Sequence, residues 1–253
     1  AFGWEPPVYV HLPAVMKDAH HKLSKRNGDA SFQDLLEKGY LAEAILNYIA
    51  LLGWSPSDNR EIFTLQELTE AFTIAGLSKS PSIFDIQKLT WMNGEYLKNM
   101  DFEKYFALVE PRLRAAIARP TDLRKVAELL KTRLETLNDI PGLVDFLDTL
   151  PEYSNDLYTH KKMKTNPEIA RESLSWAIPV LSALPEWTES ALHDALMGLA
   201  AEKGVKNGQM LWPVRTALSG KPTSPGGAIE LAYLLGREET LRRLEQGLRQ
   251  LSA

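Results

Sequence analysis

From Leu41 to Leu251 the apolar residues return at three- and four-residue intervals, and no other feature restricts the fold as strongly. Leu41, Ala44, Ile45, Tyr48, Leu51 and Leu52 form one such stripe, with Gly53 placed to end it. Thr64 with Glu67 makes a capping-box pattern ahead of Leu68, Phe72 and Ile74. Ser82 with Asp85 is a similar start, ahead of Ile86, Leu89 and Trp91. Thr121 or Asp122 can cap a helix carrying Val126, Leu129, Leu130 and Leu134, which Pro141-Gly142 then breaks. Asn166-Pro167 is a cap and first-turn pair for Ile169, Leu174 and Ile178. Thr188 opens a helix with Leu192, Ala195, Leu196 and Leu199, closed by Gly204. Ser224-Pro225 precedes Ile229, Leu231, Leu234 and Leu235, and a last amphipathic helix holds Leu241, Leu244, Leu248 and Leu251. Only Pro7 to Pro13, partly β-branched and alternating, reads as a strand. The chain is therefore expected to be mostly α, with strand content confined to its first part.

The polar residues limit function. With 253 residues, 44% hydrophobic, the chain can build more than one domain. It has no cysteine, so disulfides and thiolate zinc sites are excluded and a reducing cytoplasm is the default compartment. No apolar run is long enough for a membrane span, so no membrane partner is expected. The first seven residues lack the features of a signal peptide and read as the middle of a strand-and-loop region, and so as a cut from a longer chain. A net charge of -4 hides one basic stretch: Pro111 to Arg133 holds seven bases against two acids. From charge alone this is a solvated helix face before it is a nucleic-acid patch. Soft boundaries fall near Asn99-Met100 and in the polar residues 151 to 166, which suit a linker.

The sharpest local feature is Lys22-Leu23-Ser24-Lys25-Arg26-Asn27-Gly28-Asp29. Two lysines three apart, then Arg and a glycine that lets the backbone turn, can gather cations around a phosphate chain. An exposed basic loop is the equal alternative. His20-His21 has no partner at metal-ligand spacing, since His11, His160 and His193 are remote, and no metal site is expected. Trp91, Asn93 and Tyr96 read as core.

Context sharpens the loop. His11-Leu12-Pro13, Lys22 to Arg26, Gly39 to Ala44, Asn47-Tyr48, Leu52-Gly53-Trp54, Glu61 to Glu67 and Phe84 to Leu97 follow one another in an order that resembles the glutamyl-tRNA synthetase family. Arg133 to Leu137, Ala201 to Gly204, Pro213 to Gly220 and Ser224-Pro225-Gly226 continue the resemblance over essentially the whole chain. These are class I enzymes that activate glutamate with ATP and transfer it to tRNA. The resemblance implies a short strand region and a KMSKR-type loop followed by two helical anticodon-binding domains. Residues 1–100 would be the end of the catalytic core, the loop and stem-contact helices; 101–150 and 151–253 would be the two anticodon-binding domains.

By the same resemblance Lys22, Ser24, Lys25 and Arg26 would contact ATP, with Lys25 and Lys22 assisting adenylate formation electrostatically. Residues 17–29 would be a loop that closes on ATP and opens again. Arg133 would read the third anticodon base, and Arg215, Ser224 and Pro225 would line the site for the second and third. Ser224-Pro225 would sit at a helix N-terminus. Some relatives carry Leu two residues after that proline, where Gly227 stands here. Lys161, Lys162 and Lys164 are a solvated loop or a contact to a tRNA backbone. No HIGH-type segment occurs in this sequence. The expectation is thus the recognition half of a cytoplasmic glutamate–tRNA ligase, binding glutamate tRNA but inactive alone. ATP with magnesium, and glutamate, would bind only in the complete enzyme, with no cofactor held tightly by this stretch. The alternative is a stand-alone, non-catalytic helical tRNA-binding module.

Overall fold

The computed structural model describes residues 2–24 and 31–252. The chain forms two compact units. The first comprises residues 1–101 with 134–138, and the second residues 102–133 with 139–253. Helices dominate both. No helix among the described residues is long and apolar enough to cross a membrane.

In the first unit a short parallel pair joins β1 (Val15–Met16) to β2 (Ser82–Ile83), with Val15 opposite Ser82 and Met16 opposite Ile83. The strand expected at residues 7–13 is not formed. A strand exists only where a second backbone completes its ladder, and that ladder is found two residues further on. Side chains cap three helices of this unit, two of them at positions the sequence signals. Ser31 accepts from Asp34 N and Asp34 from Ser31 N (3.3 and 2.7 Å), starting α1 (Phe32–Glu37). After α2 (Ala42–Gly53), the reciprocal Thr64–Glu67 bonds (3.2 and 2.7 Å) start α3 (Leu65–Ala71). Asp85 alone caps α4 (Ile86–Asn99), because Ser82 is held in β2.

The core of this unit gathers Leu35, Tyr40, Ile45, Tyr48, Leu89 and Met92. Two buried asparagines tie it to irregular backbone. Asn47 Oδ1 accepts from Phe63 N and from the Tyr96 hydroxyl, both at 2.8 Å. Asn93 Oδ1 accepts from Leu41 N (2.8 Å) and its Nδ2 donates to Glu135 O (2.5 Å). Trp91, expected in the core, is exposed, and its neighbour Met92 is buried instead. The returning segment 134–138 buries Leu134 and Leu137, and Leu137 N donates to Gly39 O at 3.0 Å. Gly39 has φ +89°, and a Cβ there would lie 2.7 Å from Asn138 N, so the close approach needs glycine.

The second unit begins with α5 (Phe102–Ala116), whose Tyr105, Val109 and Leu113 are buried at four-residue spacing. Asp122 caps α6 (Leu123–Leu130), which ends before Leu134. Pro141 lies in the first turn of α7 (Ile140–Val144) rather than breaking a helix. Residues 151–166, which suit a linker in composition, are packed: Tyr158 is fully buried and its hydroxyl bonds that of Tyr153 at 2.9 Å. Asn166 and Thr188 cap α8 (Pro167–Ser182) and α9 (Glu189–Glu202). Then come α10 (Asn207–Ser219), α11 (Ala228–Leu235) and α12 (Arg237–Ser252). Helices α5 and α10 carry Pro111 and Pro213 inside, which conceals them from a reading of spacing alone.

The fastening point of this unit is Arg243 on α12, a fully buried cation. Its Nη1 donates to Leu218 O (2.6 Å) in the last turn of α10 and to Phe146 O (2.8 Å), and its Nη2 to Leu147 O (3.1 Å). Its Nε donates to Glu239 at 2.6 Å, one turn earlier on α12. Arg242 also bonds Glu239 through two 2.7 Å contacts. The hydrogen bonds from Arg242, then the charges and bonds of Arg243, hold the Glu239 carboxyl down at a pKa of about 2. A carboxylate whose folded pKa is lowered stabilises the fold above its unfolded value and loses that contribution as pH falls through the folded one. Acid titration of unfolding is therefore expected to show a stability loss between pH 4.5 and pH 2 that Glu239→Gln removes. Parallel acid titrations for parent and variant in that window would show that Glu239 is not what couples the fold to acid.

Candidate nucleic-acid interface

Helix α10 ends at Gly220, whose φ of +60° turns the chain into residues 221–227 ahead of α11. A side chain at Gly220 would meet Tyr153 Cδ1 at 2.9 Å and Pro151 O at 3.1 Å. The turn is organised by Arg215, one helical turn before the end of α10 and buried to 8% exposure. Its Nη1 donates to Ser224 Oγ (3.1 Å), and its Nη2 to Lys221 O (3.1 Å) and Pro222 O (3.3 Å). Ser224 Oγ passes the connection on, donating to Gly226 O at 2.7 Å. Lys221 anchors the base of the turn through Gly142 O (2.7 Å) and Asp145.

A cleft of about 670 Å³ opens beside this turn. The structure brings Arg133, Arg215, Ser224 and Pro225 together on its lining, all four expected from the sequence. Their roles within it differ. Arg215 spends its fork on the turn, while its buried Nε has no hydrogen-bond partner among the described residues. Arg133 is exposed, and among the described residues its side chain makes no ion pair, with Glu128 and Glu135 included. Burial, and then the like charge of Arg133, pull the Arg215 pKa down to about 10. Two guanidiniums thus share a cleft with no carboxylate paired to either. Glu230 also lines it, but its carboxylate accepts from Gly227 N (2.9 Å). Such a cleft favours electron-rich acceptors. Helix α11 begins at Ala228 with Gly227 as its cap, so Ser224-Pro225 lies in the turn and not at the helix N-terminus.

The remaining cleft wall was not singled out from sequence. The guanidinium of Arg215 lies 4.1 Å from the centre of the Trp212 ring, and the His160 ring lies 4.0 Å from it. The readable signal was the three-residue spacing of Trp212 and Arg215, which places both on one helix face. Much of the basic stretch 111–133 is ion-paired at the surface: Arg114 pairs with Glu110, Arg124 with Glu103, and Lys125 with Glu128 and Glu189. Charge there is spent on the fold, and Arg133 is what it leaves to the cleft.

The other candidate site lies in the first unit. Lys22 is exposed and its backbone bridges to Met16, while Leu23 N donates to Val15 O at 3.0 Å. Ser24 is half-buried. Lys25 and Arg26 lie outside the described residues. Before Lys22, Asp18 closes a turn, accepting from His20 N (2.8 Å) and His21 N (2.9 Å), and the His20 N–H, then the His21 ring, hold its carboxyl below the usual range.

Residues 104–248, which include the whole cleft lining, match the family model of an anticodon binding domain. Residues 1–91 match that of the catalytic domain of class I tRNA synthetases (E and Q). The glutamate–tRNA ligase of Clostridium tetani is 56% identical over 251 residues, 99% of this chain and 51% of the relative. That of Clostridium botulinum (strain Eklund 17B) is 53% identical, covering 98% and 52%. The chain belongs to the glutamyl-tRNA synthetase family. A crystal structure of the glutamate tRNA ligase from Elizabethkingia meningosepticum, in complex with its amino acid, superposes with a TM-score of 0.81 at 26% identity. It covers 98% of this chain and 53% of that one. The chain thus spans about half the length of the synthetases it matches.

Within this family member, Arg215→Met is expected to leave Ser224 and two turn carbonyls without their donor, lowering stability by about 2–4 kcal/mol. Arg215→Lys is expected to recover only part, since one ammonium cannot reproduce the fork. Thermal unfolding checks both, and a melting temperature unchanged in Arg215→Met would show that the turn holds itself.

Proposed function

We propose that this chain is the tRNA-recognition half of a glutamate–tRNA ligase and that the cleft receives anticodon bases of glutamate tRNA. The observation that carries this reading is Arg133, unpaired among the described residues, beside the buried Arg215 on one cleft. Splayed single-stranded bases offer acceptor edges, and a free guanidinium supplies paired donors. In this reading Arg133 reads the third base. Arg215 is a positioning residue that keeps Ser224 and Pro225 in place. Residues 101–150, of which 101 and 134–138 pack in the first unit, and residues 151–253 act as two anticodon-binding subdomains, and residues 1–100 carry the end of the catalytic core with the stem-contact helices.

Lys22, Ser24, Lys25 and Arg26 serve the ATP phosphates in the complete enzyme, Lys25 and Lys22 favouring the charge-rich transition state of adenylate formation. ATP, its magnesium and glutamate are bound there, in the cytoplasm. The 253 residues contain no HIGH-type segment, so this chain by itself binds tRNA and does not form the adenylate. Glutamate-dependent pyrophosphate exchange by the chain alone is expected at background level, and robust exchange would overturn this part of the reading.

The anticodon assignment is tested with Arg133→Gln. A lost base contact is worth about 1–3 kcal/mol, a roughly 5- to 150-fold loss in affinity for glutamate tRNA. The gap against a tRNA with G at the third anticodon position is expected to narrow. Binding is measured at matched salt, because phosphate contacts change with it. Equal affinities of parent and variant for both tRNAs would sink the assignment.

A further inference from the structure

One positive feature on the cleft is not used by base reading. Residues 161–164 form a tight turn closed by reciprocal bonds between His160 and Thr165 (His160 N to Thr165 O, 3.1 Å; Thr165 N to His160 O, 3.2 Å). Its backbone is held from three further sides. Lys164 N donates to Lys161 O (3.3 Å), Met163 N to His160 Nδ1 (3.2 Å), and Gln209 Nε2 of α10 to Lys164 O (3.2 Å). Lys164 is kept at φ +55°, a conformation that lysine rarely adopts. Met163 and His160 both line the cleft, and Met163 packs so closely on α10 that a side chain at Gly208 would lie 2.8 Å from its Sδ.

Lys161, Lys162 and Lys164 are therefore carried on a fixed turn at the edge of the cleft. All three are exposed, and none is ion-paired among the described residues. Three other lysines of this unit are tied down: Lys125 to Glu128 and Glu189, Lys203 to Glu202, Lys221 to Asp145. Three like charges on a four-residue turn repel one another, and a rigid backbone holds them together regardless. An anion relieves that repulsion. Flexible ammonium groups suit phosphates, which need point charge and little direction, whereas the guanidiniums in the cleft suit the directed edges of bases.

We propose that the turn of residues 161–164 is a phosphate-binding rim on which Lys161, Lys162 and Lys164 contact the backbone of the RNA whose bases enter the cleft. This rests on the anticodon reading above and assigns the turn to affinity, leaving sequence selection to Arg133. The test is the salt dependence of binding of glutamate tRNA by the full chain and by a Lys161→Gln, Lys162→Gln, Lys164→Gln triple variant. Each lost phosphate contact lowers the slope of log K against log salt by about 0.7–0.9, so a drop of roughly 2 is expected. Preference over tRNA with G at the third position is expected to stay as in the parent. The Lys161→Gln, Lys162→Gln double variant leaves the left-handed Lys164 untouched and is expected to lose about two-thirds of that slope, which guards against misfolding of the triple variant. Parental slopes in a double variant that still discriminates anticodons overturn the rim and leave the anticodon reading standing. A fall in affinity at unchanged slope overturns it too, since shape and not charge was then lost. Absence of anticodon discrimination in the parent overturns both.

Discussion

The second unit depends on a cation buried where no water reaches it. Arg243 is fully enclosed and holds three carbonyl oxygens and one carboxylate, drawn from the last turn of α10, the residues after α7, and α12 itself. Burying a guanidinium is costly unless its donors are matched, and removing one partner leaves the charge exposed to a low dielectric. The arrangement tolerates few alternatives. The C-terminal end of α10 must present Leu218 O, which fixes where that helix stops, and that stopping point sets where Gly220 turns the chain toward the cleft.

The cleft repeats this logic with a different outcome. Arg215 is also buried and spends its fork on two backbone oxygens and the Ser224 hydroxyl, but among the described residues it has no carboxylate partner, and a second guanidinium stands near it. Where Arg243 is satisfied, Arg215 keeps a buried Nε without a hydrogen-bond partner among the described residues. The two arginines are alike in sequence terms, and only their surroundings separate a fastener from the support of a binding surface.

Much of this was legible in the sequence, for reasons that differ by residue. Thr64 with Glu67, Asn166 with Pro167, and Asp122 work locally, within a few residues, so they can be read without the rest of the fold. β1 could not be placed this way, because its two residues pair with a segment far along the chain. Trp91 and Met92 are adjacent but about 100° apart around α4, and the three- and four-residue spacing of Met92 and Asn93 from Leu89 puts them, not Trp91, on the buried face. The four cleft residues were found through the ordered motifs of the family, while the burial of Arg215 was invisible, since arginine is rarely enclosed. The basic stretch reads as a solvated face, and its paired bases do lie largely at the surface, but most of their partners, Glu103, Glu110 and Glu189, lie outside the stretch and its composition does not show them.

The return of residues 134–138 into the first unit bears on how that unit comes to be complete. Leu134 and Leu137 fill part of its interior, Glu135 O receives Asn93, and Leu137 N closes on Gly39. A protein cut after Asp101 would keep α1 to α4 entire and still lack a wall of its own core. During synthesis the same gap stays open until the ribosome has passed Asn138, when α5 and α6 have already emerged. The first unit in sequence order is thus not free to finish first. Swapping it between relatives as a continuous block would transfer the helices without the stretch that seals them.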